Sequence, residues 1–276
     1  MVREGAREPV RRGVMSHFNF ALGLARRNPI VFVPILLYNA AMSVLGELTD
    51  YLGLGDILDR LYSFLWQYEE FSYVSYASYQ PVIEMPPDLE RLVFIGVAIG
   101  LVYITFSMLN HVTSIHVSRE AYLKREINVT ASYTYALGRL LTFVATSMLG
   151  VLGAFGIMMV PFIGLLFLSG EVGASITLIL LLAALGVVAS FIFVWQTTYF
   201  LMVLNDSGML ASFNSSVSFF RERWTTIVGL GLLGTVLGLS LMLIPVVGGF
   251  LSILPEVVIN IAIIDLYYQY RGRIPQ

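Results

Sequence analysis

Six long apolar stretches dominate this sequence, at roughly 29–49, 91–113, 141–169, 173–204, 225–247 and 249–270. A helix needs about 20 apolar residues to cross a hydrocarbon core of about 30 Å, and each stretch reaches that length. They are also apolar around the whole helical circumference. A water-soluble helical bundle shows stripes instead, because each helix buries only one face. In lipid every backbone N–H and C=O must be satisfied within the segment, which helices do. The expected fold is therefore all-α: a polytopic helical membrane protein with six transmembrane helices arranged as three hairpins. Gly248 and Gly249 would make the tight turn of the last hairpin. Composition agrees, since 12% of the 276 residues are charged and 57% are hydrophobic, against about 25% charged in soluble domains.

The charges between the stretches sort by sign. Fourteen of the sixteen Arg and Lys residues fall in the N-terminal arm, in the loops after the second and fourth stretches, or in the tail. The other two, Arg60 and Arg91, lie by the segment after the first stretch, which holds nine carboxylates between 47 and 90. Basic loops stay on the cytoplasmic side, so both termini are expected inside a cell membrane. The whole of 1–276 then reads as one integral membrane domain. Its parts are a basic cytoplasmic arm and surface helix over 1–28 and an acidic, tyrosine-rich outer loop over 47–90. The arm has no apolar core of a cleavable signal. Within the outer loop, Leu54, Ile57, Leu58, Leu61, Leu65 and Tyr68 keep helical spacing, and Trp66 suits the headgroup zone.

An internal repeat is also expected. Phe18-Asn19-Phe20-Ala21-Leu22-Gly23 resembles Tyr133-Thr134-Tyr135-Ala136-Leu137-Gly138, and Phe213-Asn214-Ser215-Ser216-Val217-Ser218 resembles both more loosely. Each sits on a short amphipathic stretch before an outward-going span. The offsets, 115 and 80 residues, differ by about the length the outer loop adds. One unit of cytoplasmic surface helix, span out and span in would thus occur three times, as repeats do in other membrane proteins.

Few residues carry chemistry. A carboxyl inside the hydrocarbon is expensive and marks a functional hypothesis. Glu256 is such a residue, with Asn260 one turn on and on the same face. The functional alternative is a protonatable or cation site facing a cavity. The structural one is a neutral carboxyl bonded to backbone that Pro255 frees. No basic residue lies at matching depth in any span, so no buried ion pair is expected there. The inward-going spans end alike, at Asn110, Asn205 and Asp265, which could converge in a polar cluster at the cytoplasmic mouth or simply cap helix ends. His111 and His116 are five apart and miss the spacing of four that helical zinc ligands want, so they read as structural. Gly229-x-Gly231-x-x-Gly234 imitates a dinucleotide fingerprint without its strand context. Together with Gly238, and with Gly96 and Gly100, these glycines would instead let helices approach closely. Asn128-Val129-Thr130 is a glycosylation sequon on the cytoplasmic side. With no cysteine, disulfides, thiolate metal sites and thiol nucleophiles are excluded.

Three motifs stand out: Arg26-Arg27-Asn28-Pro29, the stretch from Leu210 to Trp224, and Tyr267-Tyr268 followed by Arg271-x-Arg273. In these the chain resembles a group of six-span prokaryotic membrane proteins that includes the membrane part fused to some glycerophosphodiester phosphodiesterases, with Gln269 where an aspartate is usual in that group. It implies no catalytic residues, because the phosphodiesterase chemistry belongs to a separate soluble domain.

The expected function is a non-enzymatic structural, lipid-organising or assembly component with no cofactor and no metal. Its partners would be the bilayer, anionic headgroups and a protein or a second copy, with no nucleic acid. Arg3, Arg7, Arg11, Arg12, Arg26, Arg27, Arg271 and Arg273 would contact headgroups or a partner, each worth on the order of 1 kcal/mol near an anionic surface. The alternative is a small-solute or ion transporter or channel that uses Glu256.

Overall fold

The computed structural model of the chain describes residues 13–51, 89–167, 171–244 and 251–272. The tyrosine-rich part of the outer loop, the turn at Gly248 and Gly249, and Arg3, Arg7, Arg11, Arg12 and Arg273 lie outside those residues. Helix accounts for 91% of the described residues and no strand occurs among them. The helices are α1 (Val14–Arg27), α2 (Val33–Tyr51), α3 (Leu89–Tyr122), α4 (Val129–Gly138), α5 (Leu140–Phe167), α6 (Glu171–Asn205), α7 (Met209–Met242) and α8 (Leu254–Tyr270). Among the described residues five segments are long and apolar enough to cross a membrane: Pro29–Tyr51, Gly96–Tyr122, Leu140–Val160, Ile179–Asn205 and Met209–Met242. The protein is thus an all-helical chain built for a membrane. Of the last expected stretch, 249–270, the helical part α8 has 17 residues, about 25 Å of rise.

The short helices end for local reasons. Asn28 precedes Pro29, and the proline ring disfavours the α region for the residue before it. Asn28 accordingly sits at φ −130°, ψ 69°, and its side-chain amide donates to the Leu24 carbonyl at 3.2 Å. Pro29 then opens a 3₁₀ turn, Pro29–Phe32, ahead of α2. Asn128 caps α4 by accepting from the Ala131 N–H at 2.9 Å, a structural use of the sequon asparagine. One residue, Arg139, separates α4 from α5. A single non-helical residue, Arg223 (φ −126°, ψ 17°), likewise breaks α7 into a short first part and a long apolar second part.

The chain divides into two compact units: Met1–Leu36 with Met108–Gln276, and Leu37–Ser107. In the second, described residues of α2 and α3 leave Val44, Phe94 and Val97 exposed. In the first, α8 lies in the core. Its residues Val257, Ile261, Ala262, Ile264 and Leu266 are buried, and α1 and α7 pack against it. The outer helices show the opposite pattern: Leu141 is 85% exposed, and Val151, Leu152, Ile179 and Leu239 are exposed as well. So much outward apolar surface is far beyond what a water-soluble monomer carries, and suits helices solvated by lipid.

Glycines place two of the helix contacts. A Cβ on Gly150 would run into the Trp195 indole, and one on Gly153 would stand 2.8 Å from Phe191 Cζ, so α5 and α6 meet where α5 has no side chains. A Cβ on Gly234 would stand 2.8 Å from Ile259 Cγ1, and one on Gly238 3.0 Å from the Ser252 carbonyl oxygen. These two permit the close approach expected of them. At Gly96 and Gly100 a Cβ meets nothing within 4 Å among the described residues. Small residues allow close packing without compelling it.

Candidate functional site: an acidic cleft at the head of the last helix

Pro255 opens α8 and Glu256 follows in its first turn, where the exposed N–H groups favour a carboxylate. Glu256 is not alone. His111, about two-thirds of the way along α3, places Nδ1 3.2 Å from Glu256 Oε1. This corrects the expectation that no basic residue lies at the depth of Glu256. The imidazole is itself positioned edge-on by Tyr199 and Phe200 of α6, at ring centroid distances of 5.9 and 6.2 Å. One turn further along both helices, the buried Asn260 donates its amide to Ser114 Oγ at 3.2 Å. The parallel helices α3 and α8 are therefore joined by two polar rungs, His111–Glu256 and Ser114–Asn260.

These rungs border a cleft of about 680 Å³. Its walls come from α6 (Ile192, Phe193, Gln196), α7 (Gly231, Gly234, Thr235) and α8 (Glu256, Ile259, Asn260). The glycines of α7 create the space, since a Cβ on Gly231 would stand 2.7 Å from the Phe193 ring. The Glu256 side chain is 41% exposed, and Gln196 is exposed with no hydrogen-bond partner among the described residues. No Lys or Arg is among the described residues that line the cleft. Among the described residues no group of three metal-ligating side chains occurs. Glu256 and Asn260, paired in the sequence by helical spacing, thus do share one cavity.

The second expected cluster is arranged differently. Asp265, 2% exposed, holds His17 Nδ1 at 2.7 Å and accepts from the Tyr122 hydroxyl at 3.2 Å. It also accepts from Gln269 Nε2, at 3.2 and 3.1 Å on its two oxygens. His17 is equally buried, so α1, α3 and α8 are tied together at one enclosed carboxylate. Asn205 belongs to a neighbouring network: it exchanges hydrogen bonds with the Tyr267 hydroxyl at 2.8 and 3.0 Å and accepts from Arg271 Nη1 at 3.3 Å. Arg271 also lies over the Tyr267 ring, 5.2 Å from its centroid.

Asn110 joins neither network. It is buried, its Oδ1 has no hydrogen-bond partner among the described residues, and α3 continues past it to Tyr122. Those twelve residues put it about 18 Å from the helix end, whereas Asn205 is the last residue of α6. Similar flanking residues in the sequence do not imply equal depth.

Two more contacts support the loop side of the structure. His116 Nδ1 meets Ser132 Oγ at 2.9 Å, and Arg139 pairs with Asp206 at 2.6 Å. Burial raises the Tyr135 hydroxyl above its ordinary range beside that pair. Arg26 and Arg27 are exposed. The sequence pointed to Glu256 but missed His17 as a partner of Asp265. The available signal was a histidine on the inner face of an amphipathic helix four residues before Ala21. No family model, curated protein or solved structure matches this chain.

Proposed function

We propose that this chain is a six-span integral protein of the cell membrane that binds a small solute in the cleft beside Glu256 and carries it across the bilayer. It acts without enzymatic chemistry and with both termini in the cytoplasm. One observation carries the proposal: a cleft of about 680 Å³ among apolar helices presents a carboxylate, an imidazole and two amides. Polar side chains at membrane depth are costly unless they line a cavity. A cleft of this volume falls within the range that holds small molecules. Of the two functions expected from the sequence, this favours the transporter.

The lack of cysteine makes the test clean. In reconstituted vesicles, Thr235→Cys should react with a charged, membrane-impermeant thiol reagent, while Val151→Cys on the exposed flank of α5 should not. If both stay unlabelled, water does not reach the cleft and the carrier proposal fails.

The topology in this proposal has α8 and its preceding residues as the sixth span, three hairpins and a threefold repeat. It is supported by three short helices (α1, α4 and the first part of α7), each followed after one non-helical residue by an apolar segment. Aligned on the three similar hexapeptides, their buried positions coincide: His17, Ser132 and Ser212, then Ala21, Ala136 and Ser216. Membership of the six-span prokaryotic group is part of the same proposal. In intact cells Ser72→Cys should label from outside and Ser218→Cys only after permeabilisation. The reverse result would invert the topology.

A lipid-organising role is a second reading, and one feature favours it. Met15, Leu137, Leu141, Leu210 and Trp224, on or beside the short helices, are exposed, as in helices that lie in a membrane interface.

A further inference from the structure

We infer that the solute of the cleft is a monovalent organic ammonium, an amine carried on an apolar body, with its charge on Glu256. The inference rests on the solute-site proposal above and adds the ligand class. Charge comes first. Among the described lining residues Glu256 is the one Asp, Glu, Lys or Arg, and only its Oε1 has a protein partner among the described residues. His111 Nδ1 meets Oε1 at 3.2 Å, and the other carboxyl oxygen is open to the cleft. A single positive charge in the ligand is complementary to that part-exposed carboxylate. A divalent ion would leave an excess charge in a low-dielectric site and would find one carboxylate and one imidazole to ligate it. An anion would find no Arg or Lys in the walls.

Hydrogen bonding points the same way. The Asn260 amide nitrogen is committed to Ser114, leaving its carbonyl oxygen. Thr235 donates to the Gly231 carbonyl at 3.0 Å, leaving its lone pairs. With the Gln196 carbonyl, the cleft offers acceptors to a ligand whose charged end carries N–H donors. Phe193 and Phe200 also line it, and aromatic faces attract ammonium groups. The remaining walls are aliphatic and match an apolar body. A zwitterionic lipid could supply the same ammonium, although its phosphate would meet no cationic side chain in the walls.

The test uses the full chain in phosphatidylcholine nanodiscs, with empty discs as the background. Three probes of matched shape are titrated: 3-phenylpropylammonium, 3-phenylpropanol and 3-phenylpropanoate. The ammonium should bind on the order of tenfold more tightly than the alcohol, the carboxylate should not bind, and Glu256→Gln should remove the preference. Gln196→Leu, which leaves Glu256 intact, should weaken the ammonium about threefold. Equal binding of ammonium and alcohol, or a preference that survives Glu256→Gln in a folded variant, overturns the inference and leaves the solute site standing. Should none of the probes bind while Thr235→Cys still labels, the ammonium inference falls alone; if labelling also fails, both fall. Nanodiscs of phosphatidylethanolamine separate the two sources. Lost probe affinity there assigns the ammonium to a lipid headgroup, and unchanged affinity assigns it to a soluble amine.

Discussion

Asp265→Leu is expected to destabilise the protein by about 3–5 kcal/mol, the cost of removing one partner of a buried pair. The carboxylate is 2% exposed and gathers hydrogen bonds from helices α1, α3 and α8. Its removal leaves His17, 1% exposed, without that partner, and a buried unsatisfied polar group carries its full desolvation penalty. The double variant His17→Leu with Asp265→Leu should be more stable than Asp265→Leu alone, because it removes both polar partners together. Thermal unfolding in detergent, followed by tryptophan fluorescence, measures all three. If the single and double variants melt together, His17 and Asp265 are not coupled and α1 is held by apolar packing alone.

Gly234→Leu should cost about 1–3 kcal/mol, the range for overpacking a well-filled contact, and should also change the cleft. The first added carbon would lie 2.8 Å from Ile259 Cγ1, with the rest of the side chain still to place. Helices α7 and α8 must then separate, and Glu256 and Asn260 move with α8. A size swap tests the geometry: Ile259→Ala in the Gly234→Leu background should recover much of the lost stability, since total volume in the contact is nearly conserved. Labelling of Thr235→Cys in the same backgrounds reports the cleft. Stability that is unchanged by Gly234→Leu would show that the α7–α8 contact yields freely.

The parts of the fold that were legible in the sequence are those set by local chemistry. Proline at 29 dictates the break at Asn28, because its ring acts on the residue before it. Runs of apolar side chains dictate long helices, because hydrocarbon leaves the backbone no partner but itself. Glu256 was legible for the same reason: an isolated carboxyl in an apolar run stands out whatever surrounds it. Its partner was not, since His111 is 145 residues away and histidine spacing along one helix says nothing about a second helix. Gln269 gains its role from the fold, as a donor to the buried Asp265 four residues back.

Patterning alone determined that this chain is helical and that its long segments suit a membrane, because hydrophobicity and backbone hydrogen bonding act residue by residue. Tertiary structure decided that the short α8 lies in the core, that His17 meets Asp265 across 248 residues, and that a cleft opens beside Glu256. Those outcomes depend on which helix faces fill one another's space, and segments that are apolar all round carry no mark of which face that will be.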